Sequence, residues 1–176
     1  MTVIVVIAIL ALIVLVMLVA GVTAYRRLVR AERAVAETWA AIDAELRRRH
    51  DLVPELVRLV AAGQERGVLE AVDRARATAV GAKEPRDRAV AESTLTRALR
   101  SLAEGADGYA AHGGRIVALR AELAAAEDRI DRLGTAYNEA VIAYNAAIQA
   151  RPANIVAGMT GFTRRDLFQA RTYAAT

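Results

Sequence analysis

Two histidines, His50 and His112, and no cysteine occur in the 176 residues, so histidine, thiolate and metal chemistry have little to work with. A zinc site wants about four His, Cys or carboxylate ligands. His50 has Asp43 seven residues before it and Asp51 beside it, a set that falls short unless other elements bring more acids to it. A di-metal bundle wants Glu-x-x-His on two helices, and neither histidine has a glutamate three residues before it. His112 lies in a glycine-flanked loop and reads as solvated. Ser93 and Ser101 have no base nearby in sequence, and no glycine-rich phosphate loop follows a strand. These residues point away from an enzyme and call for no cofactor or metal; a metal-dependent enzyme using His50 is the alternative they leave.

The polar residues gain meaning from the elements that place them. Eighteen residues, Val3 to Ala20, pass without a charge, an amide or a proline. At 1.5 Å per residue, about twenty such residues cross the roughly 30 Å hydrocarbon core of a bilayer, where a helix satisfies its own backbone. Residues 1–24 are therefore predicted to be a transmembrane anchor. Arg26, Arg27, Arg30 and Arg33 follow, offset only by Glu32. Such a cationic flank favours the cytosolic side, which puts the amino terminus outside and the remaining chain in the cytosol; an extracytoplasmic domain is the alternative. Arg26, Arg27 and Arg30 are placed to meet lipid. A cleaved signal peptide is the rival reading. Val22, Thr23 and Ala24 would suit a peptidase, but no basic segment precedes the apolar run, which is long for such a signal.

The net charge is +4, with arginine outnumbering lysine 23 to one, and aromatic residues make up 5%. The excess is local, near the span and the carboxyl end, and few aromatics are available for base stacking. Lipid is thus the expected anionic partner, and nucleic acid is not. Beyond the span apolar residues recur at three and four, never at two. A first helix, from Tyr25 to about Ala62, is predicted to continue the span, kinked at Pro54, which removes the bond to the His50 carbonyl. Further helices are predicted over about 68–82, 86–104 and 115–150, with Pro85 suited to a first turn. Residues 25–151 read as an antiparallel four-helix bundle in an all-α protein. Residues 152–176 read as an amphipathic tail returning to the membrane-proximal end, with Phe162, Arg164, Arg165, Phe168 and Arg171 at the lipid surface or closing the bundle.

Antiparallel pairing of the two long helices sets a register. With Tyr25 level with Ala150, Trp39 falls near Tyr137, Ile42 near Leu133 and Arg49 near Glu127. Arg49 and His50 interrupt an inward apolar stripe and need buried partners. Glu127 and Glu92 are the candidates for a polar layer that fixes register; snorkelling to water is the other reading. Asn138 and Asn145 are seven residues apart, each after an inward tyrosine, Tyr137 and Tyr144. They are placed to bond across helices and hold register, or else to lie at the surface.

The run Trp39-Ala-Ala-Ile42-Asp43-Ala-Glu-Leu46-Arg-Arg-Arg-His50-Asp51-Leu52-Val53-Pro54-Glu-Leu56-Val57 resembles the signature of the bacterial LemA family. Ala75-Arg76-Ala77, Ala91-Glu92, the Tyr137-Asn138 and Tyr144-Asn145 pairs, Pro152, Asn154 and Gly161-Phe162 resemble its later segments, so the likeness covers nearly the whole chain, anchor included. Ser93 and Asp128 stand where the family usually shows Asn, Arg151 where it shows an aromatic before Pro152, and Thr160 where it shows Phe. The resemblance implies a single-pass helical-bundle protein of the bacterial inner (plasma) membrane and implies no reaction. The expected function is an interaction or scaffold module with an unidentified protein partner and a possible homo-oligomer; the alternative is a membrane signal transducer or sensor accessory.

Overall fold

The computed structural model describes residues 1–105 and 113–169; the loop around Tyr109, His112 and Arg171 lie outside them. Its elements are α1 (Thr2–Val60), a 3-10 turn (Ala61–Gly63), α2 (Arg66–Gly81), α3 (Pro85–Gly105), α4 (Gly114–Gln149) and α5 (Ala153–Thr160). No strand occurs among the described residues. The chain divides into two compact units. One comprises Met1–Glu37 with Glu139–Arg165, the other Thr38–Asn138 with Asp166–Thr176. We call them the anchor unit and the core unit.

In the core unit, α1 presents Ile42, Leu46, Val53, Leu56 and Val60 to the interior at helical spacing. Pro54 lies inside the helix. A proline there has no N–H for the carbonyl four residues back, and the orphan is the His50 carbonyl. Arg76 Nε of α2 donates to that carbonyl at 2.7 Å, so the helix continues through the proline with the freed acceptor satisfied from outside. Val53, Leu56 and Val60 share one apolar cluster with Val72, Ala75 and Ala79 of α2, with Ala91, Leu95, Leu99 and Leu102 of α3, and with Ile116 and Leu123 of α4. The alanines of α2 and α3 let those two helices approach closely. Helix ends are closed by side chains from neighbours. Arg88 donates to the Ala82 carbonyl at 2.7 Å and Gln64 to that of Leu102 at 3.2 Å, meeting the need of terminal carbonyls for donors. Pro85 opens α3, where its missing N–H costs nothing.

Contacts between α1 and α4 in this unit run in opposite directions. Trp39 meets Tyr137 with ring centroids 5.4 Å apart. Glu45 meets Arg129 at 2.6 Å, and Glu55 meets Arg115 through two bonds of 2.8 Å. The Arg115 guanidinium holds the Glu55 carboxyl below the usual carboxylate range.

The anchor unit contains the one helix among the described residues that is long and apolar enough to cross a membrane, and none of its apolar window is buried. Its small core gathers Ala24, Leu28, Ala147, Ala153 and Ala157, with Ile148, Val156 and Phe162 against them. Helix α5 stops at Gly161, whose φ of 80° is the left-handed closure that glycine adopts without strain.

Candidate functional site

The core unit buries a polar cluster built on three helices. Arg49, His50 and Glu92 are 2%, 3% and 2% exposed, so solvent does not reach them. Helix α1 supplies Arg49 and His50 because its inward stripe, after Leu46, puts both on the buried face. Arg49 donates from Nη1 to Glu92 at 2.9 Å, and from Nη2 to Thr96 at 2.8 Å and to Glu127 of α4 at 2.7 Å. The other Glu92 oxygen lies 2.7 Å from His50 Nε2. Arg88, one helical turn before Glu92, donates to Asp43 at 2.8 Å. The sequence singles out Arg49, His50, Glu92 and Glu127, and the structure brings all four together. It adds Thr96, Arg88 and Asp43. The signal for two of these was their spacing: Arg88, Glu92 and Thr96 recur every four residues on the otherwise apolar face of α3.

Arg49, His50 and Glu92 find their side-chain partners within the cluster. Removing two charges from water costs several kcal/mol per ion, repaid only by good geometry and further hydrogen bonds. Glu92 has that through Arg49 and His50, and Arg49 through three acceptors. Among the described residues no group of three or more His, Cys, Asp or Glu is arranged to hold a metal ion. The arrangement is suited to holding three helical segments in one register, because each side chain has its partner only at one offset.

The second arrangement involves the two Tyr-Asn pairs. Their amide and hydroxyl groups hold the backbone of the tail. In the core unit Asn138 donates to the Phe168 carbonyl at 2.9 Å and accepts from the Phe168 N–H at 2.8 Å, while the Tyr137 hydroxyl donates to the Asp166 carbonyl at 3.0 Å. In the anchor unit Asn145 does the same with Arg165, at 2.9 and 3.0 Å, and Tyr144 donates to the Thr163 carbonyl at 3.0 Å. Each Asn side chain thus replaces a strand partner for one tail residue, and each Tyr binds the carbonyl two residues earlier. Burial, with Glu32 nearby, pushes the Tyr144 phenol above its ordinary range.

The tail's aromatics are packed inward. Phe168 is 3% exposed and stands edge-on to Trp39 at 5.7 Å. This part of the tail thus packs against α1. Gly134 lies beneath the ring, where an added Cβ would be 3.4 Å from it. Phe162 meets Tyr25 edge-on at 6.1 Å. Arg165 pairs with Glu32 at 3.0 Å, and Arg164 is exposed. Val3 to Val19 are exposed on α1, Ala20 is half-buried, and Arg26, Arg27 and Arg30 are exposed.

An all-helical chain with a buried Arg–His–Glu cluster and a tail pinned by paired Tyr-Asn side chains is thus the class defined by the geometry. The LemA family profile matches residues 38–176, and the chain belongs to the LemA family. The match begins where the core unit begins and leaves the apolar segment outside it. No curated protein matches the chain.

Proposed function

We propose that this protein is a single-pass, membrane-anchored scaffold whose soluble part is an antiparallel four-helix bundle presenting a rigid surface to a protein partner. The observation that carries the reading is α1. It is one helix of 59 residues, bare and apolar at its start and buried into a four-helix core at its end. A span with exposed sides needs lipid around it, and Arg26, Arg27, Arg30 and Arg33 at its end favour a cytosolic bundle. The buried polar residues serve one another, which supports a holding role over catalysis. The surface carries Val90, Val117 and Ile142, each more than half exposed, as apolar points within a charged exterior.

The test uses the absence of native cysteine. Val117→Cys is labelled by a membrane-impermeant maleimide in inverted vesicles and not in right-side-out ones if the bundle is cytosolic. A photo-cross-linker at Val90, Val117 or Ile142 in intact cells is expected to give one discrete adduct. No adduct at any of the three sites would remove the scaffold reading.

A transducer is the second reading, favoured by the same continuity, since no break separates the apolar segment from the helix that carries Arg49 and His50. A pair of glycines inserted after Tyr25 distinguishes them: a scaffold retains its adduct and a transducer loses its output.

A further inference from the structure

The anchor unit holds a cleft of about 330 Å³ between the 20–30 stretch of α1 and the 147–153 stretch, where α4 gives way to α5. Three of its lining residues are arginines, Arg27, Arg30 and Arg151; alanines, Thr23 and Pro152 make up the rest. We propose that this cleft is a phosphate-binding site, filled by an anionic lipid headgroup or by a soluble phosphate.

Four observations carry it. Arg27 and Arg30 are three residues apart on one helix and therefore share a face, and Arg151 reaches the same cleft from the other wall. None of the three is in an ion pair among the described residues, whereas Arg49, Arg88, Arg115, Arg129 and Arg165 all are. Arg30 gives only its Nε, to the Arg26 carbonyl at 3.3 Å, and so keeps its terminal nitrogens. The Thr23 hydroxyl is taken by the Val19 and Ala20 carbonyls, each at 2.9 Å, so the donors are guanidinium groups, whose planar forks match phosphate oxygens.

Charge distribution supports the same reading. The anchor unit contains seven arginines and three glutamates, and the core unit contains seventeen basic and seventeen acidic residues, so the whole net charge of +4 belongs to the anchor unit. One of the three glutamates, Glu32, is already held by Arg165, and none lines the cleft. Lipid as the source rests on reading α1 as a membrane span. The cleft starts at Ala20, where the apolar run ends, which would put it at headgroup depth. On α5 in the same unit Ile155 and Met159 are 61% and 83% exposed, as on a helix lying at an interface. The phosphate chemistry itself does not depend on the span.

The test is native mass spectrometry of the full chain in neutral detergent with phosphatidylglycerol, phosphatidylcholine or inorganic phosphate added separately, and circular dichroism alongside. Arg27→Gln, Arg30→Gln and Arg151→Gln change the cleft. Arg33→Gln removes the same charge outside it. One phosphatidylglycerol retained in preference to phosphatidylcholine, about fivefold weaker for each cleft arginine removed and unchanged in the Arg33→Gln control, supports the site with lipid as its source. Binding of inorganic phosphate that follows the same variants, without lipid preference, supports it with a soluble source. Equal losses in cleft and control variants, or no probe whose binding depends on any cleft arginine, overturn it. If Arg151→Gln lowers helicity, the two α1 variants decide. Failure of the membrane reading would show separately, as a chain that leaves the membrane fraction.

Discussion

Arginine is used in two opposite ways in this protein. In the core unit Arg49 and Arg88 are buried, and each is joined to a carboxylate from another helix; positive and negative residues balance there. In the anchor unit Arg26, Arg27, Arg30, Arg33 and Arg151 are exposed and the excess positive charge accumulates beside the apolar segment. The same side chain is a structural tie where it has lost water and an exposed cation where it has not. Sequence position alone does not distinguish the two; the neighbouring apolar stripe does.

The comparison is most easily broken by removing arginines from each side. Arg49→Ala leaves Glu92 and Glu127 short of their cation, and deleting one partner of a buried pair costs about 3–5 kcal/mol. Arg27→Ala or Arg151→Ala at the surface should cost no more than about 0.5 kcal/mol. Denaturant unfolding of the full chain in detergent, followed by circular dichroism, reads both, and equal losses would abolish the distinction. The tail's aromatics sharpen it next. Phe168→Ala empties a buried place against Trp39 and should cost about 3 kcal/mol, while the half-exposed Phe162 should cost less; trypsin cleavage after Arg164 and Arg165 should accelerate in the first variant.

Smaller effects are expected at the asparagines. Asn138→Ala removes two hydrogen bonds to partly buried backbone, about 1–2 kcal/mol, and should raise amide exchange at Phe168. Asn145→Ala acts on exposed backbone and should cost less; the reverse order would contradict the inward packing of the Phe168 stretch. The last effect is one of pH. Because burial raises the Tyr144 phenol, its contribution, about 1 kcal/mol for a hydrogen bond, is fully present below the ordinary phenol range. It is lost as pH climbs past the raised value, when the hydroxyl can no longer donate to Thr163. Tyr144→Phe should remove that alkaline step from a stability–pH curve.

Much of the helical frame was legible because three-and-four spacing is a local property. The continuity of α1 through Pro54 was legible too, but not its means, since the Arg76 guanidinium that caps the His50 carbonyl comes from another helix. The polar cluster was readable in part. Arg49 and His50 announce themselves by interrupting an apolar stripe, and opposing two helices of equal length puts Glu127 level with Arg49. Asp43 gives no such signal, because it lies beside the stripe and looks solvated. The Tyr-Asn pairs were visible as a seven-residue repeat, yet their partner was not. Seven helical residues advance about 10.5 Å and three extended residues reach about 10 Å, so the repeat matches a chain whose held residues, Arg165 and Phe168, are three apart. Backbone carries no side-chain pattern to reveal this. For the tail, the phenylalanines and arginines left the lipid surface and closure of the bundle both open, because composition cannot distinguish a lipid surface from the face of Trp39.

The account depends most on the apolar start of α1 remaining attached and embedded. Alkaline extraction of membranes, with sequencing of the amino terminus of whatever is recovered, tests this directly. The expected result is the full 176-residue chain in the membrane pellet. A shorter polypeptide in the aqueous fraction, beginning near Tyr25, would contradict it.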